Sequence, residues 1–539
     1  MKTIQDVFIL IAFSLSFALL IAAAFWPSAL WGFVILVPLI LLGLHDILQK
    51  KHTILRLYPV IGHFRFFFEM VRPEIQQYFV ENDTNGMPVS REFRSLVYQR
   101  AKGEPDTRPF GTQFDVQRVG YEWTNHSMFP LPLVLEEPRI IFGEGRCAQP
   151  YSASLVNISA MSYGAISPNA LRALNLGAKL GNFYHNTGEG GISPYHLEHG
   201  GDLVWQIGTG YFGCRHLDGR FNLALFEQNA ALEAVNMIEL KLSQGAKPGH
   251  GGLLPAAKVT AEVAAIRGVE VGKDVVSPPS HSAFSNPLEL LEFIDQLRQV
   301  SGKPVGFKLA VGRPQEFLAI CKAMLSSQIV PDFITVDGGE GGTGAAPIEF
   351  SNSMGTPLRE ALHLVHSCLV GCNLRDQIRV IASGKVFSAF HIYRSLAMGA
   401  DTVNLGRGMM FALGCIQSLH CNNDKCPTGI STQNPKRSNA LDVPEKAHRV
   451  SNYQSSLVFH FRKMMAAAGL NQVEQITPHD IFRRISETEV KSLAEIQPVM
   501  AKGALLSEDT LPEDWRYYWH AATPEYWSKQ QAKADNTTD

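Results

Sequence analysis

The sequence predicts an α/β protein whose central domain is a TIM-like (β/α)8 barrel. An N-terminal two-helix transmembrane hairpin precedes the barrel, and a helical C-terminal extension follows it. Three features lead to this prediction: an uncharged N-terminal stretch, short β-branched runs that alternate with helical patterns, and glycine-rich segments after those runs. The 539 residues are 45% hydrophobic and 18% charged, and this charged fraction lies below the usual quarter. The formal net charge of −2 argues against a nucleic-acid partner, since such binders carry a basic excess.

The N-terminal stretch has the length and composition of two membrane spans. Residues 7–44 contain no Asp, Glu, Lys or Arg, and Pro27-Ser28 divides them near the middle. Since a span takes about 20 apolar residues, we expect one helix over 7–25 and a second over 29–48. The short connection between them predicts a tight hairpin.

Basic residues at both ends of this hairpin set its orientation. Lys2 precedes the first helix, and Lys50 and Lys51 follow the second. Positive residues stay on the cytoplasmic side, so we expect a two-pass anchor in the cell inner membrane with the catalytic domain in the cytoplasm. A cleaved signal peptide is the alternative, because Ala22-Ala23-Ala24 resembles a cleavage site. The second apolar run, which follows directly, favours the anchor.

Strand-like and helix-like segments alternate through the middle of the chain. "KPVGFKLAVG" precedes "PQEFLAICKAML", and "IRVIASG" precedes "FSAFHIYRSLAMGA". This alternation predicts βαβ units and a parallel sheet, and about eight such units favour a closed barrel over an open sheet. We therefore expect an anchor at 1–50, a linking region at 51–150, the barrel at 151–447 and a helical extension at 448–539.

Glycine-rich segments mark the predicted carboxyl ends of the strands, where a barrel keeps its active site. Two successive strands end at Gly384 and at Gly406-Arg407. Loops after the last two strands of a barrel often bind phosphate, through backbone N–H groups and a cation such as Arg407. We therefore expect a phosphorylated cofactor such as FMN. The glycines at 339–344 have the wrong spacing for a dinucleotide-binding fingerprint.

Three cysteines lie close together in "GCIQSLHCNNDKCPTG". Cys415, Cys421 and Cys426 have the spacing C-x₅-C-x₄-C, and Pro427 follows. Disulfides are rare in the reducing cytoplasm, and Cys followed by Pro is typical of iron–sulfur sequences. Zinc, which usually takes four ligands in structural sites, and purely structural cysteines are the alternatives.

Six motifs in order resemble the FMN-binding synthase domain of glutamate synthase. They are "SAMSYGAISPNA", "NTGEGG", "IELKLSQGAKPGHGG", "SPPSH", "DGGEGGTGAAP" and the cysteine segment, and they cover roughly 150–445. The whole chain is similar to the stand-alone, membrane-anchored FMN-binding glutamate synthase family proteins. In that family the C-x₅-C-x₄-C motif holds a [3Fe–4S] cluster, which implies the same cofactor at Cys415, Cys421 and Cys426.

The resemblance implies reductive amination of 2-oxoglutarate. Ammonia and 2-oxoglutarate form 2-iminoglutarate, and reduced FMN delivers hydride to give L-glutamate. The cluster passes electrons to the flavin from a separate donor, which would be ferredoxin, an NAD(P)H-oxidising protein or a membrane carrier. Full-length members begin with a glutaminase domain that has no counterpart here, so ammonia is expected from solution or a partner.

The resemblance also implies roles for individual residues. Lys247 and Arg267 match the cations that bind the substrate, and Gln244 and Glu189 match their polar partners, with Glu189 also a proton relay. Lys308 resembles the lysine that flavin barrels direct at the N1 edge, which makes Lys308 and Glu189 the catalytic candidates. The expected cofactor-binding residues are Ala160, Met161, Ser162, Lys308, Asp337, Gly341, Gly342, Thr343, Gly384, Gly406 and Arg407.

Two departures from the family pattern leave the keto acid open. His250 replaces an acid, and Leu253 replaces a glutamine that helps to bind substrate. One alternative is therefore an FMN oxidoreductase of another keto or amino acid, such as an enzyme of N-methylglutamate synthesis. A second alternative is an electron-transfer subunit with no turnover of its own.

Overall fold

The computed structural model describes residues 4–527, divided into two units between Arg91 and Glu92. The first unit begins with the apolar hairpin. Helix α1 spans Ile4–Phe25, a 3₁₀ turn spans Pro27–Gly32, and α2 spans Phe33–Leu48. The break falls where Pro27 predicted it. Residues 4–25 and 27–48 are both long and apolar enough to cross a membrane.

Three further helical segments complete the first unit. They are α3 (Thr53–Leu57), α4 (Gly62–Ile75) and a π-helical turn over Gln76–Val80. The carboxylate of Asp46, near the end of α2, accepts hydrogen bonds from Val60 N at 2.9 Å and from the ring Nε2 of His63 at 3.0 Å. This buried carboxylate fixes the turn before α4 to the end of α2.

A short hairpin closes the amino-terminal end of the barrel. The second unit begins with α5 (Arg91–Lys102), β1 (Glu122–Thr124), β2 (Arg139–Phe142) and β3 (Tyr151–Ser154). Strands β2 and β3 pair antiparallel. Phe142, fully buried, meets the ring of Phe333 edge-on at 5.6 Å. Since Phe333 starts a barrel strand, this end of the barrel is filled with side chains.

Eight parallel strands form a closed barrel, which confirms the predicted fold class. Their order is β4-β5-β6-β7-β10-β11-β12-β13, and β13 pairs again with β4. Six of the eight are wholly buried, as strands of a parallel sheet covered on both faces are. The strands from β4 onwards are β4 (Val156–Ile158), β5 (His185–Asn186), β6 (Leu203–Ile207), β7 (Val235–Lys241), an antiparallel pair β8 (Leu253–Leu254) and β9 (Val275–Val276), β10 (Val305–Leu309), β11 (Phe333–Asp337), β12 (Arg379–Ser383) and β13 (Thr402–Leu405).

Helices follow the barrel strands, and side-chain caps begin several of them. Ser167 Oγ accepts the backbone N–H of Ala170 at the start of α6, with Pro168 in the first turn. Such caps satisfy N–H groups that have no partner within the helix. The helices of this region are α6 (Pro168–Gly181), α7 (Pro194–Leu197), α8 (Leu223–Ala230), α9 (Ala261–Arg267), α10 (Pro287–Ser301), α11 (Pro314–Ser327), α12 (Ile348–Ser353), α13 (Leu358–Gly371), α14 (Ala389–Ala397), α15 (Arg407–Leu413) and α16 (Pro435–Ser438).

The C-terminal region is largely helical, as predicted, but it also contributes two strands. Helix α17 (Val443–Ala467) packs along α6. Strands β14 (Ile481–Arg484) and β15 (Val490–Ser492) join β1 in a small antiparallel sheet, and α18 (Leu493–Ile496) and α19 (Glu513–Ala521) follow. Residues 528–539 of the expected extension lie outside the described residues.

A buried carboxylate organises the polar interior of the barrel. Glu239 on β7 is 1% exposed. It accepts hydrogen bonds from Asn186 Nδ2 at 2.8 Å, from Gln206 Nε2 at 2.6 Å and from Thr335 Oγ1 at 2.5 Å. These donors come from β5, β6 and β11, so one side chain links four strands of the barrel.

We predict that Glu239→Leu lowers the free energy of unfolding by about 3 kcal/mol, because it leaves three buried donors without an acceptor. Thermal denaturation followed by circular dichroism measures the change, with the exposed Glu227→Leu on α8 as the matched control. Equal melting temperatures for Glu239→Leu and Glu227→Leu would contradict the structural role of this network.

Candidate active site

The candidate site residues gather at the carboxyl end of the barrel, opposite the β2–β3 hairpin. Lys241, Lys308 and Asp337 lie at or near the ends of β7, β10 and β11. All three are buried, with exposures of 6–7%. Because parallel strands finish on one side of a barrel, side chains far apart in sequence meet there.

An ion pair forms the centre of the first group of residues. Lys241 Nζ lies 2.9 Å from Glu189 Oε1 and donates a hydrogen bond to Gln244 Oε1 at 2.9 Å. Burial raises the pKa of Glu189, but the cations of Lys241, Lys247 and Arg267 outweigh it and hold the pKa below its usual value. Glu189 is therefore an ionised carboxylate that can accept hydrogen bonds or a proton.

Two further buried cations face this carboxylate. Burial lowers the pKa of Lys247 to about 8 and that of Arg267 to about 10, while Glu189 opposes both shifts. Arg267 Nη2 donates to Tyr163 O at 2.9 Å, and its guanidinium lies 5.2 Å from the ring centre of Phe212. Its Nε is buried with no hydrogen-bond partner among residues 4–527. A buried donor of this kind is costly unless a ligand supplies the acceptor, which suits an anionic ligand.

Glycines leave the space that Glu189 occupies. A Cβ on Gly252 would lie 2.6 Å from Glu189 Oε1, and one on Gly208 would lie 2.8 Å from its Oε2. A Cβ on Gly190 would lie 2.8 Å from Arg267 Nη2. Because these three glycines have no Cβ, they leave room for the side chains of Glu189 and Arg267.

A second carboxylate joins the neighbouring strand ends. Asp337 Oδ2 lies 3.3 Å from Lys308 Nζ and accepts Gly245 N at 2.8 Å, while its Oδ1 accepts Ser383 Oγ at 2.8 Å. Burial by itself lowers the pKa of Lys308, but Asp337 and Glu239 raise it above the usual value on balance. Lys308 is thus a permanent cation at the barrel mouth.

The expected phosphate-binding residues lie around the loop after β11. A Cβ on Gly342 would lie 2.5 Å from Arg407 Nη2, so this glycine admits the guanidinium. Gly341 lies between Asp337 and the backbone of Ala246. The loop thus brings Gly341, Gly342 and Arg407 together.

The other expected cofactor-binding residues line the same end of the barrel. Met161 N donates to Asn186 O at 3.0 Å, and a Cβ on Gly188 would lie 2.8 Å from Ser162 N. A Cβ on Gly406 would make ordinary van der Waals contact with Ser159 Cβ at 3.8 Å and Met161 Cε at 3.9 Å, so Gly406 lies beside the strand end that carries Ser159 and Met161. The last three expected residues are Ala160, Thr343 and Gly384. They follow strands β4, β11 and β12, and this position in the chain places them at the same end of the barrel.

The cysteine segment lies beside the glycine-rich loop. A Cβ on Gly344 would lie 3.2 Å from the Cβ of Cys421. Tyr98 Oη donates to Cys415 O at 2.6 Å, and Ser431 Oγ donates to Cys421 O at 3.2 Å. Residues 337–344 therefore run from the barrel mouth to the cysteines.

All three cysteines are free thiols. Within residues 4–527, no three His, Cys, Asp or Glu side chains are close enough together to hold one metal ion. Cys415, Cys421 and Cys426 are therefore candidate ligands on the spacing of their sequence motif alone.

Three functional candidates were not predicted from the sequence. Lys241 holds Glu189, and Glu239 lies two residues earlier on the same face of β7. His281 Nε2 lies 2.8 Å from Lys241 O. For Glu239 and Lys241, the sequence did contain a signal of a functional role. The two charges lie two residues apart in a mostly apolar strand, and alternate residues of a strand share a face.

A parallel barrel with a cationic pocket at its carboxyl end defines a TIM-barrel enzyme whose site suits a small anion. The profile of a family described as a conserved region in glutamate synthase matches residues 132–471. The chain belongs to the glutamate synthase family, whose members are oxidoreductases acting on CH–NH₂ donors.

Two relatives illustrate the range of similarity. The glutamate synthase large subunit-like protein YerD of Bacillus subtilis is 39% identical over 496 residues, covering 84% of this chain and 94% of YerD. The archaeal glutamate synthase [NADPH] of Methanocaldococcus jannaschii is 33% identical over 323 residues, covering 60% of each chain. The match to the archaeal enzyme thus spans about three fifths of its length.

Solved structures show weaker likeness. The recombinant flavin-binding domain of baker's yeast flavocytochrome b2 aligns with 11% identity and a TM-score of 0.41, covering 77% of this chain and 85% of that domain. Mandelate oxidase with (S)-2-phenylpropionate aligns with 14% identity and a TM-score of 0.39, covering 74% and 98%. At these scores the alignments add nothing to the assignment.

Proposed function

We propose that this protein is an FMN-dependent glutamate synthase that converts 2-oxoglutarate and ammonia to L-glutamate. The observation that carries the proposal is the cluster of three buried cations, Lys241, Lys247 and Arg267, around the half-buried Glu189 and Gln244. Family membership supports the reaction class, and the pocket supports the substrate class.

The charge of the pocket suits a dicarboxylate. Lys247 and Arg267 are 2% and 5% exposed. The Nε of Arg267 has no hydrogen-bond acceptor among residues 4–527. A buried cation without a ligand is unfavourable, and the charge-assisted hydrogen bonds that Lys247 and Arg267 donate to an incoming carboxylate offset that cost. Glu189 and Gln244 remain for the amine end, where a carboxylate and an amide oxygen accept hydrogen bonds from an ammonium or imine nitrogen.

The residues around the barrel mouth fit FMN. Arg407 beneath Gly342 would hold the phosphate, and the buried ammonium of Lys308 would face the flavin ring. The bound flavin supplies the hydride. A fixed cation at Lys308 favours a negatively charged ring, and Asp337 holds that cation in place.

The three thiols fit the proposed [3Fe–4S] cluster. Cys415, Cys421 and Cys426 would be its ligands. The loop over residues 337–344 connects Asp337 with the surroundings of Cys421. This proximity supports a short path for electrons from an external donor, ferredoxin or an NAD(P)H-oxidising protein, to the barrel mouth.

Two further parts of the proposal concern location and amine source. The apolar helices α1 and α2 support a two-pass inner-membrane anchor, and the basic residues that flank them support a cytoplasmic catalytic domain. Ammonia would come from solution or from a separate protein.

The identity of the keto acid is the part of the proposal most open to revision. Leu253 follows Gly252, which contacts Glu189, and it pairs with Val276 in the β8–β9 ribbon. The His250 ring meets Phe350 at 5.5 Å. An apolar side chain at 253 removes one polar contact to a substrate, which favours a test of methylamine and other keto acids alongside the expected pair.

We predict that the dithionite-reduced, detergent-solubilised protein is reoxidised by 2-oxoglutarate with ammonium and forms an equal amount of L-glutamate. Flavin absorbance and a glutamate assay measure this half-reaction. Lys247→Ala should raise the half-saturating 2-oxoglutarate concentration roughly 10–100-fold, the equivalent of one charge-assisted hydrogen bond, whereas the exposed Lys179→Ala should not change it. Reoxidation only by another keto acid or amine would identify a different substrate, and a flavin that stays reduced with all of them would indicate an electron-transfer subunit.

We predict that kcat/KM for 2-oxoglutarate falls as pH rises above about 8. Burial lowers the pKa of Lys247 to about 8, so its positive charge is present below that pH and lost above it. The decline should reach about tenfold per pH unit, because kcat/KM follows the protonation of the free enzyme. In Lys247→Arg the cation persists and this decline should disappear. The same decline in the arginine variant would assign the titration to another group.

We predict that Cys426→Ser lowers the iron content of anaerobically purified protein and removes its cluster absorbance, while bound FMN remains. Iron analysis and the visible spectrum measure both cofactors. Cys214→Ser, at a buried cysteine away from the motif, is the control and should retain iron. Full iron content in the Cys426 variant would exclude the proposed ligand set.

A further inference from the structure

The first unit exposes a run of large apolar side chains after the two apolar helices. On α4, the exposed fractions are 60% for Phe64, 51% for Phe67 and 58% for Phe68. The π-helical turn adds Phe79, which is 84% exposed. Proteins in water rarely show contiguous apolar patches of this kind unless something binds there.

These side chains follow one face of the helix. Phe64, Phe67, Phe68, Val71 and Ile75 recur at helical spacing. Arg65, Glu69 and Arg72 lie along one flank of this face, where Arg65 Nε and Glu69 Oε1 are 3.0 Å apart, and Phe66 and Met70 lie on the far side of the helix. Helix α4 is therefore amphipathic, with an aromatic face that is exposed in this structure.

Hydrogen bonds place the start of α4 at the end of the apolar hairpin. Asp46 of α2 holds Val60 and His63. Gln5, at the beginning of α1, donates from Nε2 to Arg56 O at 2.6 Å. If α1 and α2 cross a bilayer, these contacts put the first turn of α4 at the level of the lipid headgroups.

The charge of this segment favours anionic lipid. Residues 50–80 carry five basic side chains, Lys50, Lys51, Arg56, Arg65 and Arg72, and two acidic ones, Glu69 and Glu74, a net charge of +3 (5 − 2). The whole chain carries −2. Basic amphipathic segments bind anionic bilayer surfaces through both charge and apolar burial.

We propose that residues 62–80 lie in the bilayer interface, while Lys50, Lys51 and Arg56, which supply the net positive charge of this segment, contact anionic headgroups. The aromatic face enters the boundary between headgroups and acyl chains, and Arg65, Glu69 and Arg72 stay in water. This inference rests on the proposed membrane anchor, and it adds a second, peripheral contact with lipid to the two spans. Residues 62–80 follow the two spans closely in the chain, which places them beside the bilayer. Their exposed aromatic face is the surface that binds the lipid.

Photo-crosslinking of the full chain identifies what covers this face. The photoreactive residue p-benzoylphenylalanine would replace Phe67, in nanodiscs of phosphatidylethanolamine and phosphatidylglycerol. The matched control carries it at Glu69 on the charged flank of the same helix, and the positive control carries it at Phe17 within α1. Intact-mass spectrometry after irradiation distinguishes lipid adducts from protein adducts.

We expect lipid adducts at Phe67 and Phe17, with a yield at Phe67 about fivefold above that at Glu69, because only the apolar face enters the interface. Lipid at Phe17 with a protein adduct, or no adduct, at Phe67 would overturn this inference alone and leave the anchor standing. Absence of lipid at both positions would overturn the anchor and this inference together. Neither outcome depends on catalytic activity, so both are separate from the failure of the proposed reaction.

Discussion

The carboxylate of Asp337 connects the parts of this barrel that its chemistry requires. It receives the ammonium of Lys308, the backbone N–H of Gly245 and the hydroxyl of Ser383. Three neighbouring strands and the loop that carries Gln244 and Lys247 are thereby fixed to one side chain. Without it, the loop that carries Gln244 and Lys247 would lose its hydrogen bond to the barrel, and Lys308 would be a buried cation without its nearest counter-charge.

The buried charges of the site balance only in part. Four cations, Lys241, Lys247, Arg267 and Lys308, face three carboxylates, Glu189, Glu239 and Asp337. Burial is the main cause of the low pKa of Lys247; the charge of Lys241 lowers this pKa further, and Glu189 raises it. A site of this kind is least stable when empty and gains most from a ligand that brings negative charge, so binding and local stability are coupled.

Much of the fold could be predicted from local sequence, because apolar strands, helical periodicity and strand-end glycines are local signals. The barrel and the break at Pro27 were of this kind. The β1–β14–β15 sheet was not, since strands of three or four residues carry almost no pattern and β1 pairs with a segment more than 350 residues away. Within the site, Lys247 and Arg267 followed from a resemblance, whereas Lys241 and Glu239 were missed because their meaning depends on which strands become neighbours.

The β2–β3 hairpin has a consequence for traffic through the enzyme. Phe142 packs against Phe333 and has no exposed surface, so the amino-terminal end of the barrel is closed there. The candidate site therefore opens at the carboxyl end. In the proposed reaction, the keto acid, the amine and the product would all pass through that opening, beside the loop that leads to the cysteines. A bound keto acid would therefore obstruct the path of an amine that arrives after it.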